Sequence, residues 1–132
     1  MSLAYVESSA IVKLAWQEVE SHALREALDQ VESRVASELA VVEVVRAAGR
    51  IDGDAGRTRG RAALLRAVLV PIDRGVLDVA ASLDPKGLRS LDAIHVATAL
   101  ALESPDVVFF SYDRRTIEAA EANGLTVASP GA

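Results

Sequence analysis

The chain has 132 residues, 14 basic and 19 acidic side chains, a formal charge of −5 and no cysteine. A composition 51% apolar and 25% charged describes one folded domain over residues 1–132, large enough for a real core. The missing cysteine excludes disulfide scaffolds, thiol catalysis and iron–sulfur clusters. The lack of any run of about 18 apolar residues excludes a membrane-spanning helix. The opening MSLAYVESSA has no basic start and puts Glu7 where a leader needs apolar residues, so no signal peptide is read and a cytoplasmic protein is expected.

Charge is unevenly spread: residues 1–45 carry a net −5, residues 46–74 carry +4, and residues 75–132 carry −4. The basic stretch holds Arg46, Arg50, Arg57, Arg59, Arg61, Arg66 and Arg74, whose planar guanidinium groups suit phosphate. A solvated helix face is the plain alternative. The acidic remainder argues against a duplex-DNA binder, and the few aromatic residues against base-stacking platforms.

In chain order, Leu3 to Val6 reads as a short buried strand ended by Glu7, and Ser8 or Ser9 is the expected cap of a helix through Ala10, Ile11, Leu14 and Ala15. A second helix covers Glu20 to Val31, with Ala23, Leu24, Ala27, Leu28 and Val31 on one face. Arg34 to Ala36 forms the next strand. Ser37 then caps a helix that Gly49 and Gly53 bring to an end. A helix from Asp54 gives way to a third strand near Val68 to Ile72, and Val76 to Leu83 is again helical. After Asp84-Pro85-Lys86-Gly87, Ser90 is the expected cap of Leu91 to Leu102, a helix apolar on nearly every side and therefore buried. Val107 to Phe110 is a strand, Arg114 to Asn123 a helix stopped by Gly124, and Leu125 to Val127 the last strand. Short strands apolar on both faces, alternating with helices, predict a three-layer α/β/α fold around a parallel sheet of four or five strands. Ligands in such folds collect beyond the carboxyl ends of the strands. No Gly-rich phosphate loop follows any strand.

Four carboxylates stand where carboxylates are costly. Glu7 ends the first strand, Glu43 interrupts Leu39-Ala40-Val41-Val42-Glu43-Val44-Val45, Asp92 opens the apolar helix, and Asp113 follows Val107-Val108-Phe109-Phe110-Ser111-Tyr112. Singly, each has an ordinary reading: Glu7 as a strand-end charge, Asp92 as a first-turn acid, Asp113 as a helix cap, Glu43 paired with Arg46 or Arg50. Together they describe an acidic cluster whose mutual repulsion predicts raised pKa values and demand for a cation. Magnesium or manganese suits such oxygen ligands, and with only His22 and His95 present zinc does not. A carboxylate-held divalent ion orients a phosphodiester and acidifies water, which is hydrolytic nuclease chemistry.

Four segments now align with a known pattern: Tyr5 to Leu14, Ser37 to Arg46, Leu88 to His95 and Ser111 to Arg115, followed by Ala128-Ser129-Pro130-Gly131. In that order they resemble the PIN-domain ribonucleases, specifically VapC-type toxins of toxin–antitoxin pairs, over nearly the whole chain. The resemblance implies an Mg2+-dependent (or Mn2+-dependent) endoribonuclease with Glu7 and Asp92 as principal metal ligands. Glu43 and Asp113 would complete the acidic site, with Ser9 supporting it. It also implies an RNA substrate, a VapB-type antitoxin covering the groove, and a homodimer. Arg46, Arg50 and Arg114 are the candidate RNA contacts, and Trp16 a candidate partner contact beside ordinary packing in its own domain. His95 is read as a hydrogen-bonded core histidine, with a supporting role behind the acids as the alternative. One position departs from the pattern: the family's first-strand acid is ordinarily aspartate, and Glu7 is one methylene longer. That departure motivates a rival reading, a catalytically impaired PIN-like domain that binds RNA or protein without cleavage. A receiver-like phosphate acceptor is a third, but it needs a late lysine and none follows Lys86.

Overall fold

A computed structural model describes residues 2–132. The elements are β1 (Leu3–Val6), α1 (Ser8–Ala15), α2 (Ser21–Asp29), β2 (Ser33–Ser37), α3 (Leu39–Leu64), β3 (Val68–Val70), α4 (Arg74–Ala81), α5 (Ser90–Ala101), β4 (Val107–Phe110), α6 (Arg114–Ala122) and β5 (Thr126–Ala128). The five strands form one parallel sheet in the order β3-β2-β1-β4-β5. The fold class is the expected one, at the upper of the two strand numbers.

Alternation along the central strands divides the core in two. Ala4, Val6 and Phe110 face Ile11, Leu24, Leu28 and Val44 on one side of the sheet. Tyr5 and Phe109 face Val96, Ala99, Ala119 and Ala120 on the other. The helices α1, α2 and α3 thus cover one face, and α5 and α6 the second. Strand order reverses between β1 and β4, whose carboxyl ends are in register with Val6 opposite Phe110. Such a reversal opens a crevice at the strand ends. Glu7 and Asp113 follow the two strands that border it.

Some local expectations are corrected. Glu7, rather than Ser8 or Ser9, caps α1, because its carboxylate accepts from the Ser9 backbone N–H at 3.1 Å. Ser90 is the first residue of α5, not its cap, and Arg89 holds the cap position with no side-chain bond. Glu38, not Ser37, holds the cap position of α3 with no side-chain bond, although the Ser37 hydroxyl one residue before it accepts from the Leu39 N–H at 3.1 Å. The break near Gly53 exists as a sharp kink: Asp52 and Gly53 (φ 54°, ψ −138°) leave helical geometry, a conformation open mainly to glycine. Past the kink the chain folds back on itself, so that Gly56 and Gly60 lie against Ala48 and Val44 of the first half. Among the described residues no helix is long and apolar enough to cross a membrane.

Candidate functional site

The crevice at the β1/β4 strand ends holds a pocket of about 340 Å³ lined by Glu7, Glu43, Asp92, Asp113, Arg89, Ser90 and Leu91. Four elements supply the four acids: the β1–α1 junction, α3, the first turn of α5, and the start of α6.

Glu7 is 6% exposed, and both its carboxylate oxygens are held. Oε2 accepts from the Ser9 N–H, while Oε1 accepts from the hydroxyls of Ser9 (2.5 Å) and Ser111 (2.7 Å). Those hydroxyls in turn accept backbone N–H groups, Tyr112 onto Ser9 (2.9 Å) and Asp113 onto Ser111 (3.1 Å). Each serine hydroxyl therefore gives its proton to Glu7 and takes one from the β4–α6 loop. The arrangement ties the two crevice-forming strand ends together through one buried carboxylate.

Glu43 is held from the other side. Its Oε1 accepts from the Ser8 hydroxyl at 2.6 Å and lies 2.6 Å from His95 Nε2. Repulsion among the acids predicts a raised pKa, yet Glu43 goes the other way. Burial pushes it up, but the hydrogen bonds from His95 and Ser8, with the electrostatic attraction of the His95 ring, outweigh burial and hold it below the ordinary glutamate value. His95 is 1% exposed, and its Nδ1 lies 2.6 Å from the Tyr5 hydroxyl. Burial and the charges of Glu7 and Glu43 push the Tyr5 phenol well above its usual range.

Asp92 and Asp113 share a cation already present in the chain. Arg89 Nε donates to Asp92 Oδ2 at 2.9 Å, and its Nη2 reaches Asp113 Oδ2 at 3.5 Å. The Asp92 hydrogen bond raises the Arg89 pKa further, so it is a permanent positive charge at the pocket mouth. Asp113 also caps α6, accepting from the Arg115 N–H at 3.0 Å. Among the described residues, no three carboxylate or imidazole groups are close enough to share one metal ion. The donor set, all oxygen and drawn from four carboxylates, is of the type a hard divalent cation takes. Arg89 supplies the countercharge between Asp92 and Asp113 in this arrangement.

The structure thus brings Glu7, Glu43, Asp92, Asp113 and Ser9 together, but not the candidate arginines. Arg46 and Arg50 line a separate pocket with Arg57. Arg114 is exposed and pairs with Glu118 at 3.6 Å. Arg59 and Arg66, also from the basic stretch, join Arg25 and Arg34 around a pocket of about 370 Å³ floored by Leu14, Ala15, Ala62 and Ala63. There Arg59 donates to the Ala15 carbonyl and lies over the Trp16 ring at 5.4 Å. Sequence reading missed Arg89, Ser8, Ser111 and Tyr5. Only Arg89 had a local signal, its i,i+3 spacing to Asp92; the others require the sheet pairing.

The sequence pattern of the family described as PIN domain matches residues 4–122. Ribonuclease VapC46 of Mycobacterium tuberculosis is 46% identical over 131 residues, covering 98% of this chain and 99% of that protein. Ribonuclease VapC35 of the same species is 41% identical over 133 residues, covering 98% of each. Among solved structures, Mycobacterium tuberculosis VapC20, a Sarcin-Ricin loop cleaving toxin, superposes with a TM-score of 0.76 at 13% identity, covering 96% of this chain and 99% of that one. A toxin–antitoxin complex from Klebsiella pneumoniae gives 0.73 at 19% identity, covering 96% and 97%. With its fold, its acidic crevice and relatives matched end to end, the chain belongs to the PIN-domain family, in the branch of the VapC ribonucleases.

Proposed function

We propose that the pocket bounded by Glu7, Glu43, Asp92 and Asp113 is the hydrolytic centre of a metal-dependent endoribonuclease, the toxin of a VapBC-type toxin–antitoxin pair. One observation carries this reading: four carboxylates from four separate elements line one crevice at the sheet's point of strand reversal. Ribonucleases of this family are generally dependent on a divalent metal. Glu7 and Asp92 are the residues to hold Mg2+ or Mn2+, with Glu43 and Asp113 completing the shell directly or through water. When bound, such an ion supplies Lewis acidity toward a phosphate oxygen and acidifies water.

The chain's own residues do the rest. The two serines hold Glu7 rigid, which satisfies the positional tolerance of a ligand. Glu43 keeps one oxygen engaged with Ser8 and His95, and its second is the acceptor for a proton leaving the attacking water. Asp113, which lines the same pocket, orients that water. Arg89, more than half exposed, exchanges its carboxylate partners for a phosphate of the RNA, a ligand its planar fork matches. Arg46, Arg50 and Arg114 lie outside the pocket and are assigned to flanking phosphates, where they add affinity rather than chemistry.

Two kinds of partner follow from the same reading. Exposed apolar side chains on α4 and α5, Leu77, Val79 and Leu91, support a homodimer. The arginine-rimmed apolar pocket beside Trp16 supports the docking of a VapB-type antitoxin, and cytoplasmic RNA is the substrate. The rival reading, a non-cleaving RNA or protein binder, is favoured by Arg89 holding the place between Asp92 and Asp113.

Asp92→Asn separates the two, since it removes a ligand charge and almost no volume. We expect Mg2+-dependent RNA cleavage by the parent, loss of cleavage in Asp92→Asn and an unchanged circular dichroism spectrum. Saturating Mg2+ should also raise the melting temperature by several degrees, because a ligand at a hundred times its Kd adds about 2.7 kcal/mol. Cleavage by Asp92→Asn at the parental rate refutes the assignment, and RNA binding without cleavage or a Mg2+ shift establishes the rival.

A further inference from the structure

His95 lies on the buried face of α5, one turn past Asp92, with both ring nitrogens engaged. Nδ1 is 2.6 Å from the Tyr5 hydroxyl, and Nε2 is 2.6 Å from Glu43 Oε1 and 3.3 Å from Ser8 Oγ. Tyr5 is fully buried in β1, stacked on Phe109 with ring centroids 5.1 Å apart and edge-on to the imidazole at 6.0 Å. A file of polar groups therefore runs from the middle of the sheet to the wall of the acidic pocket.

A proton inventory fixes its direction. A carboxylate only accepts, so Nε2 must carry a proton to lie 2.6 Å from Glu43 Oε1. With the proton on Nδ1 alone, two lone pairs would face each other at that distance. In the neutral ring Nδ1 then accepts, and the Tyr5 hydroxyl has the proton to give. Ser8 spends its single proton on the same Glu43 oxygen. Both bonds converge on Oε1, while Oε2 takes no hydrogen bond from the described residues. A glutamate in mid-helix has three rotatable side-chain torsions, and two bonds to one oxygen remove most of that freedom.

We infer that Tyr5 and His95 form a buried hydrogen-bond relay that positions Glu43. Tyr5 selects the Nε2–H tautomer, and that N–H, with the Ser8 hydroxyl, pins Oε1 and presents Oε2 to the pocket. Neither Tyr5 nor His95 touches a reacting atom, so both are positioning residues. The inference rests on the acidic pocket being the hydrolytic centre.

Nitrogen-15 NMR of the imidazoles and steady-state kinetics on Tyr5→Phe test it together. Tyr5→Phe deletes one buried oxygen and keeps the ring stacked on Phe109. With the imidazoles in their neutral form we expect the parental His95 proton on Nε2 alone, with exposed His22 as the contrasting signal. In Tyr5→Phe we expect mixed tautomers and a kcat lower by about tenfold, with KM within about twofold, the scale on which partners behind a metal site act. His95→Gln, which keeps an N–H within reach of Glu43, should retain more activity than His95→Leu. A parental His95 protonated on Nδ1, or parental kcat in Tyr5→Phe, overturns the relay. If His95→Leu does not fold, the NMR result and Tyr5→Phe still decide. If the parent cleaves no RNA with any divalent ion, the hydrolytic reading fails, and the tautomer result alone judges the relay.

Discussion

Glu7 accepts the Ser111 hydroxyl proton at 2.7 Å across 104 positions of sequence, and this bond joins the ends of β1 and β4 at the mouth of the acidic crevice. The residue that departs from the family's usual aspartate is the one whose extra reach is in use. Its Oε1 meets two hydroxyls and its Oε2 a backbone N–H.

Shortening that arm should therefore harm the enzyme rather than repair it. Glu7→Asp withdraws the carboxylate by roughly 1.5 Å, the length of one carbon–carbon bond, and cannot keep all three bonds. The expected result is a kcat for RNA cleavage lower by about tenfold. Ser111→Ala should lower kcat too and cost about 1–3 kcal/mol of stability, because a buried acceptor loses a donor. A faster Glu7→Asp enzyme would mean that glutamate here is a defect.

Both tyrosines should stay un-ionised until the protein unfolds. Burial, with the Glu7 and Glu43 charges, pushes Tyr5 well up; burial, with Glu20, pushes Tyr112 up to about 12. A folded-state pKa raised above the unfolded value near 10 contributes stability that is complete below about pH 10 and lost as pH climbs through the folded value. In a pH titration, phenolate absorbance should rise together with loss of helical circular dichroism, not before it. Phenolate formed in a still-folded protein at pH 10 to 11 would contradict the buried Tyr5–His95 contact.

Gly56 is the tightest point of the α3 fold-back. A Cβ there would collide with the Ala48 carbonyl oxygen, a backbone atom that no rotamer change moves aside. Gly56→Ala should destabilise by about 3 kcal/mol, at the upper end of overpacking costs, and lower Tm by roughly 10 °C. Calorimetry of the variant checks this, with Gly87→Ala as the control, since nothing lies within 4 Å of its Cβ position.

Thr116 gives the opposite sign. Its hydroxyl is buried and finds no hydrogen-bond partner among the described residues, so the folded state carries its desolvation uncompensated. Thr116→Val replaces the hydroxyl by a methyl of similar size and should stabilise by about 1 kcal/mol. A drop in Tm would show that the oxygen is satisfied in solution.

The sequence alone determined the layers and the acids. Short strands apolar on both faces, alternating with helices, point to a parallel sheet covered on both sides, and a carboxylate amid Leu39–Val45 or before Ala93-Ile94-His95 needs a reason to be there. Both signals are local in the chain, so composition and spacing carry them. Tertiary structure decided which atoms each acid faces. Ser111 meets Glu7 because β1 and β4 are neighbours in register, and His95 meets Tyr5 and Glu43 because α5 crosses the sheet beside them. The basic stretch shows the limit from the other side: charge density was legible from residues 46–74, but the chain's fold-back at Asp52 and Gly53 set Arg57 beside Arg46 and Arg50 in one pocket and Arg59 and Arg66 in another. A backbone turn redirects every side chain after it, and net charge along a sequence contains no record of that direction.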